Sequence, residues 1–573
     1  MSKSPAIAAE MEPGPGPRRA HWLFASLRGL EMRALPADLI AGLTLAAIAL
    51  PAQLATAHLA GMTAETGLFA FAAGAIAFAI FGANRFMSVG ADSTIAPIFA
   101  GSLSLLAATG TPAYAAYAGL LALMVGAILI VAGVLRAGWI ADLLSIPVTT
   151  GFLAGISIHI VIGQLPVILG IASPDGNLVA RLWAILRDIP QANGATAIIG
   201  LLVFVVTFGA GKLSARIPGA LIGLVGAALA TWQLGLAEHG VKTLGPLSTA
   251  LPAIVVPTIT FDDLVRLLPL AFTIALICMM QMAVVVRAFP SDPDALEDVG
   301  GDFIGLGAGN VLAACLGAFA VNASPPNTTA IAESGGRSQL TGLTAVVAIA
   351  ILVAAAGGAF GYVPEAALAG VLVFISVRIF RATEMMSIAR RGDNEILLVV
   401  ASAALVALLP VDRGVLLAIL LSLAHSTYQL ARPKCTRLVR LPNTTIWWSP
   451  SRNHPSETVA GVLVFAPAAP LSFINANFVR AQLDKTLAET QDTRLVVIEA
   501  SGITQIDYTG ALGLIGTITR LRKRGIDVAL ARLEADRAAA AAGRSGVLDT
   551  LGPDHVFHSV EEAVRALASG EKT

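Results

Sequence analysis

Charged side chains are scarce in this sequence. They account for 13% of the 573 residues, whereas hydrophobic residues account for 56%; about a quarter of a typical soluble protein is charged. This scarcity excludes an ordinary soluble protein and indicates one that lies in a membrane. The 37 Lys and Arg residues are balanced by 37 Asp and Glu residues, so no overall positive charge favours nucleic acid as a partner.

Cysteine is rare as well, and the sequence shows no catalytic signature. The three cysteines, Cys278, Cys315 and Cys435, have no spacing typical of a metal site or a disulfide framework. No nucleophile with a neighbouring base suggests an enzyme, so we expect neither a catalysed reaction nor a cofactor. Residues 1–36 lack the apolar stretch of a cleavable signal peptide, and we expect them to form a cytoplasmic N-terminal segment.

Long apolar runs are abundant instead. Fourteen apolar segments lie between residues 38 and 430, and most can span a bilayer, although the third, tenth and twelfth are too short to do so as full helices. They form two sets of seven, at about 38–236 and 264–430. Because seven is odd, the second set enters from the opposite side, as in an inverted repeat. We therefore predict a multi-pass transmembrane domain over 37–430, with the N-terminus inside by the positive-inside rule.

Two polar segments interrupt the apolar sequence at corresponding places in the two sets. Segment 320–335 contains Ser324, which can cap a helix, and Pro325, which suits a first helical position. Segment 87–97, about 230 residues earlier, contains Asp92, Ser93 and Thr94 ahead of a short helix. Both segments read as helices that begin inside the membrane.

A helix that begins inside a bilayer has unpaired N–H groups and a partial positive charge at its start. Two such starts at the same depth make an anion site, and paired broken segments are the best sequence sign of a secondary transporter's binding site. A re-entrant loop that only links two spans is the alternative. We interpret the pair as a transport site.

The end of the sequence has a different character. A basic, Pro-containing stretch at 431–457 reads as a linker, and strand patterns at 459–465 and 494–498 then alternate with helical patterns. We predict a small cytoplasmic α/β domain over 458–573. Its turn Asp507-Tyr508-Thr509-Gly510 leads into a helix. Asp507 or Thr509 caps this helix, or the turn with Tyr508 is a regulatory or phosphorylated loop.

Several motifs together resemble one family. Asp38-Leu-Ile-Ala-Gly-Leu-Thr44, Ser88-Val-Gly90 and Gly336-Arg-Ser-Gln-Leu-Thr-Gly342 are similar to the SulP family of anion transporters, and the terminal domain resembles the STAS domain of that family. The resemblance implies seven-plus-seven inverted repeats, divided into core and gate domains that move as an elevator, usually in a homodimer. It also implies a small anion as substrate: sulfate, bicarbonate, chloride or a dicarboxylate.

The resemblance also implies the site residues. Carried over by position, Ser93, Thr94, Asn327 and Thr328 lie around the anion, and Thr56 and Gln281 lie alongside. We add Ser324, at the start of the tenth helix, to the predicted substrate residues. Three positions depart from the family pattern. Gln281 stands where members often have a carboxylate, which argues against sodium coupling. Asn327 stands where many have an Arg. The order Pro51-Ala52-Gln53 turns the amide about 100° around the helix, so Gln53 is not expected to face the site.

Asp92 lies where the family commonly has an uncharged residue. It either caps the third helix or takes part in coupling, since a carboxylate inside a membrane is seldom idle. At about 4 Å an ionised Asp92 repels an anion by about 4 kcal/mol at an effective dielectric of 20. Anion binding then requires a proton or a cation on Asp92.

These observations predict a plasma-membrane anion transporter of the bacterial inner membrane, a proton-linked symporter or an exchanger. Membrane lipid and a cytoplasmic protein that binds the STAS domain are further expected partners. Two alternatives remain. A nucleobase permease of the same fold needs a carboxylate in the eighth or tenth span, where Glu333 lies too near the helix end. A membrane-embedded anion sensor would signal through the STAS domain without net transport.

Overall fold

The computed structural model describes residues 23–27, 35–138, 145–172, 174, 178–213, 218–247, 260–290, 298–391, 395–450, 456–490 and 492–568. The N-terminal segment predicted over 1–36 lies almost wholly outside these residues. The chain divides into two units, Met1–Ser422 and Leu423–Thr573.

The first unit is helical. Its first eight helices are α1 (Leu35–Leu59), α2 (Ala64–Phe81), α3 (Ala96–Leu103), α4 (Pro112–Val134), α5 (Ile146–Leu169), α6 (Leu178–Asp188), α7 (Gly194–Leu213) and α8 (Gly219–Leu234). The next eight are α9 (Phe261–Ala288), α10 (Val299–Cys315), α11 (Pro325–Glu333), α12 (Leu340–Ala356), α13 (Glu365–Ile379), α14 (Ala382–Arg390), α15 (Glu395–Leu408) and α16 (Val411–Ala431), the last of which crosses the boundary between the units.

The fourteen predicted segments all correspond to helices. Nine helical segments in the described part of the chain are long and apolar enough to cross a membrane, and α8, α10 and α15 are shorter apolar helices. The half-length helices α3 and α11 complete the two sets of seven. The sequence does not predict α6 and α14, which follow α5 and α13 and so occupy corresponding places in the two sets.

The helices pack in two groups. In the core group, α10 packs on α2 and α4, and α1 packs on α2, α11 and α12, with α3 and α9 alongside. In the gate group, α5 packs on α13 and α15, α7 packs on α8 and α13, and α16 follows α15. The two groups meet where α1 packs on α8 and α13.

Glycine allows close helix packing inside each group. A Cβ added at Gly126 of α4 would lie 2.7 Å from the carbonyl oxygen of Gly307 of α10. In the gate group, a Cβ at Gly370 of α13 would lie 2.4 Å from the carbonyl oxygen of Gly200 of α7. Small residues let membrane helices approach closely enough for extensive van der Waals contact. Each group is therefore tightly packed.

The second unit is an α/β domain with a six-stranded sheet. The strands are β3 (Cys435–Arg440), β4 (Trp447–Trp448), β5 (Val462–Pro467), β6 (Leu495–Glu499), β7 (Asp527–Ala531) and β8 (Val556–Phe557), in the spatial order β4-β3-β5-β6-β7-β8. Strands β5 to β8 are parallel, and β3 is antiparallel to β4 and β5. The helices are α17 (Ala476–Ala488), α18 (Tyr508–Lys523), α19 (Asp536–Arg544), α20 (Val547–Leu551) and α21 (Val560–Ala568).

The sheet has an apolar core on each face because successive side chains of a strand point to opposite faces. Leu463 and Phe465 of β5 pack in one cluster with residues of α17 to α20. Val462 and Val464 pack in the other cluster with residues of α21. The predicted small α/β domain is therefore present, with helices on both faces.

The stretch predicted as a linker, 431–457, contributes two strands to this sheet. Cys435–Arg440 is β3, which pairs with β5 over four positions. Arg440 on β3 forms ion pairs with Glu457, at 3.1 Å, and with Glu561 of α21, at 3.5 Å. The basic residues of the predicted linker therefore belong partly to the folded domain, since β3 begins at Cys435.

We predict that a fragment of residues 433–568 folds cooperatively, whereas a fragment of residues 458–568 does not. The shorter fragment lacks β3 and β4, so it leaves one edge of β5 unpaired and removes Arg440 and Trp447, two of the three partners of the Glu561 carboxylate. Circular dichroism during thermal unfolding measures the cooperativity and the midpoint of unfolding for both fragments. Equal stability of the two fragments would show that β3 and β4 are dispensable.

The fragment of residues 433–568 has a pH-dependent contact at Glu561. Burial raises the pKa of the Glu561 carboxyl, but hydrogen bonds from Trp447 and Arg565 and the charge of Arg440 together lower it below its usual 4.5. A lowered pKa contributes stability above the unfolded value that is lost as pH falls through the folded value. Glu561→Gln should therefore destabilise the fragment at pH 7 and reduce its loss of stability below about pH 4.5, while the exposed Glu489→Gln serves as the control.

Candidate anion-binding site

The two broken segments lie side by side in the structure. Strand β1 (Val89–Gly90) pairs antiparallel with β2 (Asn322–Ala323), with Val89 opposite Ala323 and Gly90 opposite Asn322. The N–H of Ser324 donates to the carbonyl oxygen of Ser88 at 2.8 Å. The chain turns from β1 into α3 and from β2 into α11. The starts of the two half-length helices are therefore fixed next to each other.

Amide side chains form hydrogen bonds with backbone groups next to the β1–β2 pair that have no partner within it. Gln53 of α1 accepts from the N–H of Ala91 at 2.8 Å and donates to its carbonyl oxygen at 3.2 Å. Asn310 of α10 does the same for Val321, at 3.0 and 2.9 Å. Irregular backbone at membrane depth requires such internal partners. The two amides hold the two broken segments in equivalent ways.

The expectation that Gln53 faces away from the site is wrong. Its side chain is 1% exposed, reaches the backbone of Ala91 and lies in the wall of the cavity described next. The physical reason is that the N–H and C=O of Ala91, which have no backbone partner, pass beside α1 at the level of Gln53. This contact could not be read from the order of residues within α1 alone.

A cavity of about 280 Å³ lies where the two helix starts meet. Of the predicted substrate residues, it is lined by Thr56, Ser93, Thr94, Gln281, Ser324 and Asn327, together with Asp92. The structure thus brings α1, α9 and both broken segments to a single space. Pro325 and Pro326 have no N–H group, so Asn327 offers the first one that α11 can provide.

Thr328 lies behind the cavity and not in its wall. It is fully buried, its hydroxyl donates to the carbonyl oxygen of Ser324 at 2.9 Å, and its Oγ1 accepts from the N–H of Ser88 at 3.1 Å. Successive helical residues point about 100° apart because the helix has 3.6 residues per turn. With Asn327 facing the cavity, Thr328 instead ties α11 to the segment before β1.

Asp92 belongs to a chain of hydrogen bonds that crosses the cavity wall. Its carboxylate accepts from the hydroxyl of Thr94 and, at 3.0 Å, from the N–H of Thr94. The Gln281 amide of α9 donates to the Thr94 hydroxyl at 2.7 Å and accepts from the amide of Asn322. Asp92 therefore caps the turn before α3 and also lies in the wall of the cavity, while its part in coupling stays a prediction.

The structure adds two cations that the sequence analysis did not assign to the site. Arg378, at the end of α13, and Arg381, just after it, line the same cavity from the gate group. The Arg378 guanidinium lies 5.9 Å from the centre of the Phe374 ring, and Arg381 pairs with Glu384 at 3.0 Å. From the sequence alone, arginines at these positions are explained by the positive-inside rule, as ordinary residues of a cytoplasmic loop. Only the packing of α13 against α1 places them at the cavity.

The turn at Asp507 is a helix cap. One carboxylate oxygen of Asp507 accepts from the N–H of Gly510 at 2.7 Å, and the other accepts from the N–H of Phe473 at 2.8 Å. Tyr508 and Thr509 are exposed at the start of α18. Asp507 thus has a structural task, while both hydroxyls remain accessible to solvent.

Comparison with known families identifies the chain. The family model described as the sulfate permease family matches residues 35–402, and the STAS domain model matches residues 454–563. The chain belongs to the sulfate permease family. The resemblance found in the sequence motifs is thereby confirmed, and so is the helical transporter fold with a C-terminal STAS domain.

Relatives within the sulfate permease family align along almost the whole chain. A probable sulfate transporter of Mycobacterium tuberculosis is 29% identical over 540 residues, which cover 94% of this chain and 96% of that protein. The chloroplastic sulfate transporter 4.1 of Arabidopsis thaliana is 24% identical over 546 residues, covering 92% and 79%. These relatives are transporters by name, and none is described as an enzyme.

Solved structures share the fold. Murine solute carrier 26 family member A9, an anion transporter in its inward-facing state, has a TM-score of 0.84 at 21% identity, covering 94% of this chain and 92% of that chain. The transmembrane domain of the cyanobacterial bicarbonate transporter BicA has a TM-score of 0.60 at 24% identity, covering 69% and 98%. At these identities the likeness concerns the fold alone.

We predict that Asn310→Leu destabilises the protein by about 1–4 kcal/mol, because it leaves the buried N–H of Val321 without a partner, at about 1–3 kcal/mol, and leaves its carbonyl oxygen only the weak donor Cys278. Thermal unfolding of the purified protein in detergent measures the change. Thr207→Val is the matched control, since the Thr207 hydroxyl bonds only to a carbonyl oxygen of its own helix. A similar shift for both variants would argue against the role of Asn310.

Proposed function

We propose that the protein is a secondary active transporter of small anions, of the sulfate, bicarbonate, chloride or dicarboxylate class, in the plasma membrane. The observation that carries the proposal is the pairing of β1 with β2, which directs the starts of α3 and α11 at one cavity. Helix starts favour anions through free N–H groups and the helix dipole. The names of the relatives, a probable sulfate transporter and an anion transporter among them, agree with this substrate class.

The balance of charge at the cavity supports a role for protons. Each helix start carries roughly half a positive charge, so an ionised Asp92 offsets about the sum of the two. Among the described residues, the other charged side chains that line this cavity are Arg378 and Arg381 of the gate group. A proton on Asp92 makes the site more positive by one charge. Protonation and anion binding therefore favour each other, and by reciprocity each strengthens the other.

An elevator motion accounts for how the site changes sides. Among the described residues of the first unit, every glycine at which a Cβ would come within 3.0 Å of another helix faces a helix of its own group. In the described part of this unit, such close approach at a glycine therefore occurs within each group and not at the boundary, where α1 packs on α8 and α13. We infer that the core group carries the anion past the gate group as a rigid body, in a homodimer with its N-terminus and STAS domain in the cytoplasm.

Ser93→Trp should abolish anion uptake, because an indole fills most of the space between the two helix starts. Uptake of labelled sulfate, bicarbonate, chloride and fumarate by protein in liposomes is the measurement. The control is Ile198→Trp on the exposed face of α7, which should transport normally. If Ser93→Trp protein elutes and unfolds like the wild type yet still transports, the anion does not bind in this cavity.

Asp92→Asn should remove the pH dependence of anion uptake and the ability to concentrate the anion against an imposed proton gradient. In the wild type, apparent affinity should improve as pH falls, because protonation removes the repulsion of the anion. Initial rates at several pH values measure this, and replacing sodium by choline should leave them unchanged, since Gln281 stands in place of a carboxylate. Asn can cap a helix as Asp does, so an unchanged pH profile would reduce Asp92 to a cap.

The alternatives are separated by the same assay. The family match favours anions over nucleobases as substrates. A folded wild-type protein that binds anions but moves none of them under any gradient would support the membrane-embedded sensor, whose STAS domain would then signal to a cytoplasmic protein partner.

A further inference from the structure

A second cavity of about 370 Å³ lies away from the anion site, between α8 and the end of α12. One wall is a face of α8 that includes Ala228 and Trp232. The other is formed by residues 352–363, which include Ala356 and the short 3₁₀ helix Gly357–Tyr362, and Leu50 of α1 lies at the base. All lining side chains are aliphatic or aromatic. We call this cavity the α8–α12 groove.

Water is a poor occupant of the α8–α12 groove. A buried water needs two to four polar partners, and the lining offers none except the tips of Trp232 and Tyr362. An empty space of this size would forfeit the dispersion contacts that packed interiors gain. Trp232 and Tyr362 are half exposed, at 59% and 45%, so the groove opens onto the outer surface of helices that lie in the membrane.

The end of the groove carries features of a membrane interface. Trp232 lies near the C-terminal end of α8, and Tyr362 lies at the end of the 3₁₀ helix that follows α12; these two residue types are enriched where apolar and polar parts of a bilayer meet. The backbone beside them holds Lys242 in place, since the N–H of Glu365 donates to its carbonyl oxygen at 3.0 Å and the N–H of Leu244 donates to that of Val363 at 2.8 Å. Lys242 is exposed.

We propose that the α8–α12 groove binds one acyl chain of a membrane phospholipid, whose phosphate lies near the Lys242 ammonium. An acyl chain is the apolar molecule that a bilayer supplies at this depth, and in the groove it supplies the dispersion contacts that the leucine and alanine side chains would otherwise lack. The cation attracts the anionic headgroup within a Debye length. Groove and cation together match the apolar chain and the anionic headgroup of a phospholipid.

The position of the groove gives the lipid a consequence for motion. α8 belongs to the gate group, whereas α1 and α12 belong to the core group, so a bound acyl chain contacts both. If the core group slides past the gate group, the chain must leave or shift at each transition. This last step rests on the proposed elevator motion, but the lipid site itself does not.

The test uses the full-length protein in nanodiscs of palmitoyl-oleoyl phosphatidylglycerol that contain a small fraction of the same lipid with a photoactivatable diazirine on one acyl chain. After irradiation, mass spectrometry maps the labelled peptides. The expected result is labelling of α8 and residues 352–363 above that of the exposed face of α7, which consists of Ile198, Leu201, Leu202 and Val205. The excess should persist after brief detergent dilution that removes loosely held lipid.

Two variants separate the groove from general lipid contact. Ala228→Leu with Ala356→Leu fills the groove from both walls and should lower the excess label at least about fivefold, or about 1 kcal/mol of binding, without changing the label on α7. Lys242→Gln leaves the walls intact and should shorten the retention of lipid after dilution. Elution volume and thermal unfolding establish that both variants fold.

Three outcomes overturn the proposal. Equal labelling of the groove and α7 in the wild type means ordinary bilayer contact. An excess that the filled variant keeps means that the lipid binds elsewhere. An unlabelled groove, with an Ala228→Cys disulfide joining two chains, means that a second copy of this protein covers it. Labelling does not require transport. The lipid site is therefore tested independently of whether the protein transports anions.

Discussion

The structure depends on one constraint: a backbone N–H or C=O that leaves a helix inside a membrane must find its partner within the protein. The chain leaves helical structure twice at this depth, before α3 and before α11. The two-residue pairing of β1 and β2 satisfies part of the demand, and the amides of Gln53 and Asn310 satisfy groups next to it. Gln339 adds two bonds, to the carbonyl oxygens of Asn84 and Met87. The cavity is where it is because these partners fix both helix starts.

The buried carboxylates of the core group have two kinds of position. Two of them hold the backbone of turns, and one borders the cavity. Asp38 of α1 accepts from the N–H of Arg337 at 2.6 Å and from the hydroxyl of Ser338 at 2.6 Å, and so holds the turn between α11 and α12. Asp302 of α10 accepts from the N–H groups of Ala83 and Asn84 at 2.8 and 2.7 Å. Both carboxylates are away from the lining of the cavity. Asp92 differs because its carboxylate is held by a short local network and also borders the space for a ligand.

The sequence predicts the fourteen membrane segments well because apolar length is a local property. It misses α6 and α14, which have 11 and 9 residues, because amphipathic helices of that length do not stand out in an apolar chain. It misplaces Gln53 and does not assign Arg378 to the cavity, because both contacts depend on how separate helices pack. It treats β3 as linker, because a six-residue strand between polar stretches is defined by its partner β5 and not by its own pattern.

The pairing of β1 with β2 joins residues about 230 positions apart in the chain. At synthesis rates of 5–20 residues per second, β1 waits on the order of 10–50 s before its partner strand exists. During that time the first broken segment has unpaired backbone in or near the membrane, and no half of the protein can complete the site alone. The first repeat therefore has to persist in the membrane with an incomplete site until the second repeat has been synthesised. This requirement during biogenesis, more than the stability of the finished protein, limits how the chain can be divided or rearranged.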